Sequence, residues 1–277
     1  MLKTLVVYQS KYGTTQKVAE YLSLVLGPGR YLTPAEFKDE YQDFDLVIVG
    51  SPIYSGQPLP EISKFLEDHA EWLKGKKVAL FSISIDLKEG YEKLGDMETV
   101  IGEAVSKRAL GGTLKLGVLD EDDQQDLKVF SKMVGFPLQD MDLFKVEEVL
   151  EYALELKKIR DDMIPTLPRV ELKDAVESFL KSHNTCTLST SYQERVRSTP
   201  IEYTYHQEHL YLLSEGGEKF ANLLLNNQVS VAVYEDYTTM NNLAGMQITG
   251  EAAFVEDEDE YQDIIAMKGL NLDMIRN

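Results

Sequence analysis

Three short, uninterrupted apolar runs constrain this chain more than any other feature. They are Leu5-Val6-Val7-Tyr8, Leu46-Val47-Ile48-Val49-Gly50 and Val78-Ala79-Leu80-Phe81. Each is short and shows no polar alternation, so each reads as a strand buried on both faces. Segments of helical spacing separate them. From Thr14 to Leu26, the residues Val18, Ala19, Leu22 and Val25 share one face, and Gly27-Pro28-Gly29 stops the helix. A Ser-Pro loop after the second run leads to a helix with Ile62, Phe65, Leu66 and Leu73 at helical spacing. A helical stretch around Met97 to Leu110, a further run from Thr113 to Val118 and a closing helix from Val146 to Arg160 follow. Buried strands alternating with helices predict an α/β domain: a doubly wound parallel sheet of five strands. Ligands of such sheets bind at the carboxyl ends of the strands, which directs attention to Gln9–Thr15, Ser51–Pro58 and Ser82 onward.

The pattern changes after two prolines, Pro165 and Pro168, which break the preceding helix. Residues 1–162 are read as the first domain, 163–169 as a linker and 170–277 as the second. In the second domain one amphipathic helix, Leu172 to Lys181, precedes runs rich in β-branched residues. These are Thr185–Thr190, Ser198–Tyr205, His209–Leu213, Val229–Tyr234 and Met246–Val255. Alternation such as Ile201-Glu202-Tyr203-Thr204-Tyr205 predicts mainly antiparallel strands and a small barrel.

Composition excludes several function classes. The chain of 277 residues carries 28 Lys plus Arg against 47 Asp plus Glu, a formal charge of −19. Duplex nucleic acid and anionic membrane surfaces both need clustered cations, so neither is expected as a partner. One cysteine, Cys186, rules out an internal disulfide and a CxxC pair, and with four histidines and no HExxH no metal site is expected. No apolar run approaches the ~18 residues of a membrane span, so a cytoplasmic location is expected.

Chemistry concentrates in two places. Between the first strand and first helix lies Ser10-Lys11-Tyr12-Gly13-Thr14-Thr15, where hydroxyls meet the unsatisfied amides of a helix start. Such a loop can wrap a phosphate with amides, hydroxyls and the helix dipole. It has neither the GxxxxGK[ST] of a triphosphate site nor GxGxxG, which leaves a single terminal phosphate or an ordinary capped turn. The second run continues into Ser51-Pro52-Ile53-Tyr54-Ser55-Gly56, where an aromatic beside a branched aliphatic can flank a planar ring. Ser82 and Ser84 follow the third run and offer small side chains for close approach. In the second domain, Arg195, Arg197, Ser198 and Thr199 open a strand, while Ser214, Gly217 and Lys219 join a strand to a helix. These cations either converge on a phosphate or are surface residues beside a capping turn.

The three loops of the first domain resemble the flavodoxin family over about residues 1–160. The hydroxyl–x–x–Gly–x–Thr pattern matches at Ser10, Tyr12, Gly13, Thr14 and Thr15. Within it, Gly50–Gly56 and Gly111-Gly112-Thr113-Leu114 look most like the branch that includes the menaquinone-dependent protoporphyrinogen dehydrogenases. The resemblance implies FMN, with its phosphate on Ser10–Thr15 and its ring beside Ile53, Tyr54 and Ser55. Residues 168–256 resemble the split-barrel flavoproteins related to pyridoxamine 5′-phosphate oxidase, in Leu210–Ser214, Lys219–Leu223 and Asn226–Ser230. There the resemblance implies a second FMN site at Arg197 and Lys219, and a homodimer formed through the barrel. Gly217-Glu218 replaces that family's Ser-Arg pair, which sets a carboxylate next to the expected phosphate. The expected function is an FMN-dependent oxidoreductase or electron-transfer protein with flavin sites in both domains and no catalytic side chain assigned. The alternative is a tetrapyrrole or quinone oxidoreductase using only the first flavin, with the barrel serving dimerisation or binding haem or a deazaflavin.

Overall fold

The computed structural model describes residues 1–271 and divides the chain into two compact units, the first ending at Pro165 and the second starting at Thr166. The part of the expected second domain beyond residue 271 lies outside the described residues.

In the first unit the strands are β1 (Thr4–Tyr8), β2 (Gly29–Leu32), β3 (Leu46–Tyr54), β4 (Gln57–Pro58), β5 (Lys77–Ser84), β6 (Ser106–Gly111), β7 (Thr113–Leu114) and β8 (Met141–Asp142). The helices are α1 (Thr14–Val25), α2 (Pro60–Asp68), α3 (Ala70–Lys74), α4 (Leu87–Ile101), α5 (Glu121–Val134) and α6 (Val146–Asp161). Five strands form the parallel sheet in the order β2-β1-β3-β5-β6, the doubly wound arrangement expected from the sequence. The chain leaves β1 in one direction to β2 and then crosses to β3 on the other side, so the order reverses between β1 and β3.

The apolar runs are continuous because the sheet has two covered faces. Val6, Tyr8, Ile48, Ala79, Phe81 and Ile83 pack with residues of α1 and α6 in one core. Leu5, Val7, Val47, Val49, Val78 and Leu80 pack with α2, α3 and α4 in the other. Alternate residues of each strand therefore feed opposite cores, and every position must be apolar. Tyr152 of α6 is fully buried and donates its hydroxyl to Leu80 O at 3.0 Å. Arg160, also buried, donates to Leu26 O and Gly27 O and so satisfies carbonyls left over at the end of α1.

Three local expectations are corrected. The helix expected near Met97 to Leu110 ends at Ile101, where Gly102 takes φ 87°. The strand that follows is Ser106–Gly111, and Thr113–Val118 is only the two-residue β7 plus a turn of 3-10 helix. β6 is an edge strand whose Lys107 and Arg108 pair with Glu98 and Glu155, so its outer half is polar and hides the strand signal. At the other edge, β2 has only Leu32 buried, which is why its sequence shows no apolar run. The expected helix through Leu73 is two helices that break at His69.

The second unit contains α7 (Arg169–Ser182), β9 (Thr185–Tyr192), β10 (Arg195–His206), β11 (His209–Leu212), α8 (Glu218–Leu223), β12 (Gln228–Tyr234), β13 (Gly245–Glu251) and α9 (Glu258–Met267). Its sheet runs β11-β10-β9-β12-β13 with every pairing antiparallel, the open, barrel-like sheet the alternation predicts. Alternate residues Cys186, Leu188 and Thr190 of β9 point into a core with Leu180 of α7, Tyr203, Val231 and Val233. Tyr203 donates to Leu180 O at 2.8 Å and pins the helix to the sheet. Burial raises the Cys186 thiol above its usual value, as suits a packing residue.

Candidate functional site

A cavity of about 460 Å³ opens at the carboxyl ends of β1, β3 and β5, beside the point where strand order reverses. That volume lies within the ~300–1,000 Å³ typical of small-molecule and cofactor sites. Four chain segments before α5 build it, and each is placed by a local rule.

The first is the loop from β1 to α1. Gly13 takes the left-handed φ of 94°, and its N–H donates to Ser10 Oγ at 2.9 Å, closing the loop immediately before the helix. No side chain caps α1, so its first amides keep their donor capacity toward the cavity. Ser10, Tyr12, Thr14 and Thr15 line the cavity, with Thr15 buried. This cradle of amides and hydroxyls fits a phosphate.

The second segment is the tip of β3. Tyr54 pairs with Gln57 of β4 across a two-residue turn in which Ser55 and Gly56 both have positive φ, 47° and 71°. Positive φ at both central positions is the tight hairpin turn that favours glycine, here at Gly56. The hairpin presents Pro52, Ile53, Tyr54, Ser55 and Gly56 to the cavity. Tyr12 and Tyr54 meet edge to face with centroids 6.2 Å apart. Burial raises the Tyr54 phenol well above its ordinary value, and burial followed by the Asp123 bond raises Tyr12, so both phenols stay protonated.

The third segment runs from Ile83 to Asp86 and reaches Glu89, and the fourth is Gly112-Thr113-Leu114. Asp86 caps α4 by accepting from the amides of Lys88 and Glu89. Ser84 lines the cavity, whereas Ser51 and Ser82 are fully buried behind it. Ser51 Oγ accepts from the Leu59 amide at 2.8 Å, and Ser82 donates to Gly90 O at 2.8 Å. Their hydroxyls thus engage the backbone, Ser51 at the residue before α2 and Ser82 in the first turn of α4.

Lys11 also stands outside the lining. Its ammonium sits 2.8 Å from both Asp120 and Asp123, which raise its pKa, and 5.8 Å from the Tyr54 ring centroid. Tyr12 Oη donates to Asp123 at 2.5 Å and accepts from the Asp120 amide at 3.1 Å, while Ser55 donates to Asp126 at 2.9 Å. These contacts tie the acidic start of α5 to two of the loops. The helix forms the remaining wall with Asp123, Asp126, Leu127, Val129, Phe130 and Met133. None of the motifs read from the sequence includes a residue of this wall. The available signal was Asp120 as an N-cap followed by Leu127, Phe130 and Met133 at helical spacing.

The tie has a pH limit. The Asp123 amide and then Lys11 hold the Asp120 carboxyl below its ordinary value. A depressed carboxyl stabilises the fold above its unfolded pKa of about 3.9 and loses that contribution as pH falls through the folded value. Acidification from neutral to well below pH ~3.9, through the lowered folded value, is therefore expected to free the start of α5. Hydrogen exchange of the α5 amides, corrected for intrinsic rates, reads this directly. Protection that is equal at both pH values would show that the Asp120 contact does not hold the helix.

The second unit brings its expected residues together differently. Arg195, Arg197 and Ser198 are exposed on β10, Thr199 and Ser214 are half-buried, and Gly217 precedes α8 with φ 106°. Arg197 is paired with Glu218 at 2.9 Å, and Lys219 Nζ donates to Gly216 O at 2.5 Å beside the Phe220 ring. The carboxylate thus occupies the cation expected to hold a phosphate. Among the described residues no group of three or more His, Cys, Asp or Glu could hold a metal, and no helix is long and apolar enough to cross a membrane.

A doubly wound sheet with a hydroxyl-rich loop at its switch point, followed by an antiparallel barrel-like sheet, defines a two-domain architecture of the flavoprotein kind. Residues 5–133 match the flavodoxin domain family and residues 172–270 match the pyridoxamine 5′-phosphate oxidase family, so the chain joins a flavodoxin domain to a pyridoxamine 5′-phosphate oxidase-like domain. No curated protein matches it. Among solved structures it is similar to a flavoprotein from Lactobacillus acidophilus in complex with FMN, at 19% identity over 39% of this chain and 93% of that one, with a TM-score of 0.34. A flavodoxin from the domain Archaea is 20% identical over 48% of this chain and 96% of that one, with a TM-score of 0.33. The haem storage protein HutZ of Vibrio cholerae is 23% identical over 35% and 73%, with a TM-score of 0.32. Together the two domains support a flavin-binding, electron-transferring role.

Proposed function

We propose that the chain is a cytoplasmic FMN-dependent oxidoreductase or electron-transfer protein whose flavin binds in the cleft of the first unit. The carrying observation is the uncapped start of α1, set behind a Ser10–Gly13 turn and facing the Ile53–Tyr54 tip across one cavity. In this reading the amides of α1 with Ser10, Thr14 and Thr15 hold the phosphate, and Ile53, Tyr54 and Ser55 flank the isoalloxazine. Bound FMN supplies the electron-carrying chemistry, and the protein supplies orientation and field. Asp86, Glu89, Asp123 and Asp126 line the same cavity. Their field disfavours an anionic reduced flavin and sets a low potential.

The barrel, on this reading, makes a homodimer. Val196, Leu224, Tyr237, Met240 and Leu243 are apolar side chains more than half exposed, as an interface between copies requires. A second flavin there needs Arg197 released from Glu218. Sedimentation followed at the flavin absorbance tests these statements together. A particle of twice the chain mass carrying one FMN per chain is expected, and Glu218→Ser is expected to add a weaker second equivalent. Wild-type protein that sediments without flavin would overturn the function, and a single-chain particle would overturn the dimer.

A tetrapyrrole or quinone oxidoreductase using only this flavin is the second reading. The apolar stripe of α5 along the cleft favours it.

A further inference from the structure

The loops that fit FMN account for one side of the cavity, and α5 makes the other. Asp123, Asp126, Leu127, Phe130 and Met133 follow one another at intervals of three, one, three and three residues, so they form a single helical face. The face is acidic in its first half and apolar in its second. Met133 is 78% exposed, an apolar side chain at the cavity that its own domain leaves uncovered.

The charges along the cavity are one-sided. Among the described residues four carboxylates line it and no lysine, arginine or histidine does. Two of the four have fixed partners of positive character: Asp86 accepts the first amides of α4, and Asp123 takes Lys11. Among the described residues the other two have no such compensation. Asp126 accepts the neutral hydroxyl of Ser55, and Glu89 lies against the hairpin tip, its Oε1 3.0 Å from where a Cβ on Gly56 would stand. A ligand approaching α5 therefore meets two negative charges at the Tyr54 hairpin and an apolar wall behind them.

We infer that the cleft takes a second ligand beside the flavin, a flat aromatic molecule bearing no anionic group, which stacks on Leu127, Phe130 and Met133 while Glu89 and Asp126 exclude anionic ones. The inference rests on the flavin reading and names the class of molecule that exchanges electrons there. Burial of a flat apolar face against three apolar side chains supplies the attraction. Repulsion by two carboxylates at low local dielectric supplies the selection.

The test is a binding measurement on FMN-loaded protein. Methylene blue, a flat cation, and indigo disulfonate, a flat dianion, are compared by equilibrium dialysis at low salt and at about 0.15 M salt. Methylene blue is expected to bind on the order of tenfold more tightly or better. Glu89→Gln combined with Asp126→Asn is expected to bring the two dyes close together, and Phe130→Ser to weaken both. Equal binding of the two dyes by the wild type would overturn the inference. So would a charge preference that survives in the double variant, because it would then come from the net charge of −19. Release of FMN by methylene blue, seen as free-flavin fluorescence, would place the dye in the flavin's own position and overturn a second ligand. If the chain takes up no FMN in the loading step, the flavin reading itself fails before either dye is added.

Discussion

Thr14→Glu is expected to lower FMN affinity by more than about 100-fold, because it sets a carboxylate at the first position of α1, where the phosphate is proposed to lie. A unit charge about 4 Å from a phosphate charge costs about 4 kcal/mol at an effective dielectric of 20, and 1.4 kcal/mol is tenfold. The substitution also places negative charge on the amides that would otherwise serve the phosphate. The helix itself is expected to survive, since an acidic residue in the first turn suits the macrodipole. Loss of binding would then report on the site and not on folding. Arg197→Glu in the second unit is the control, with affinity for the first FMN expected to stay within about twofold, a few tenths of a kcal/mol. Quenching of FMN fluorescence on titration measures both variants. Unchanged affinity in Thr14→Glu would remove the phosphate from the start of α1.

The second large effect concerns stability. A Cβ on Gly111 would stand 2.0 Å from Leu143 O and 2.7 Å from its carbonyl carbon. Both are backbone atoms, so no side-chain rotation relieves the contact. Gly111→Ala must push β6 away from the segment that leads into α6, at a cost of about 1–3 kcal/mol or more. In a unit of this size that is on the order of 2–4 °C in Tm for each kcal/mol. Gly112, Thr113 and Leu114 follow directly and line the cleft, so FMN affinity is expected to fall with stability. Gly95 in α4 is the contrasting case, with nothing within 4 Å of an added Cβ. Gly95→Ala is expected to be neutral or to stabilise by about 0.5–1 kcal/mol, because alanine is the better helix former. Urea unfolding of the two variants decides the matter, and equal stability would show that Gly111 is not held by its neighbour.

Much of the first unit was legible because its central strands are buried on both faces. Leu5–Tyr8, Leu46–Gly50 and Val78–Phe81 each had to be apolar at every position, and their carboxyl ends located the three loops that meet at the cavity. The edge strands were not legible in the same way. β2 buries only Leu32, and β6 opens with Ser106-Lys107-Arg108, whose charges are answered by Glu98 and Glu155 from other elements. A strand stabilised by partners far along the chain carries little local signal.

Ser51 and Ser82 show a different limit. Their position beside the motifs suggested ligand contact, yet both hydroxyls turn inward to backbone partners. Whether a serine next to a site serves the site or its scaffold depends on a rotamer that sequence does not encode.

By itself the sequence determined that there are two domains, that the first is a doubly wound sheet, and that a hydroxyl-rich loop stands at a helix start. All three follow from local periodicity and turn chemistry, which each segment carries in its own residues. Tertiary structure alone decided what closes the cleft and what the barrel's arginine does. Tyr12 and Asp123 are 111 residues apart yet share a hydrogen bond, and Arg197 finds Glu218 across a turn between strand and helix. Charge written in sequence has a sign and no direction. Folding aims Asp123 at Lys11 and Tyr12 and leaves Asp126 and Glu89 facing the cavity, and so turns an acidic run into one wall of a binding site.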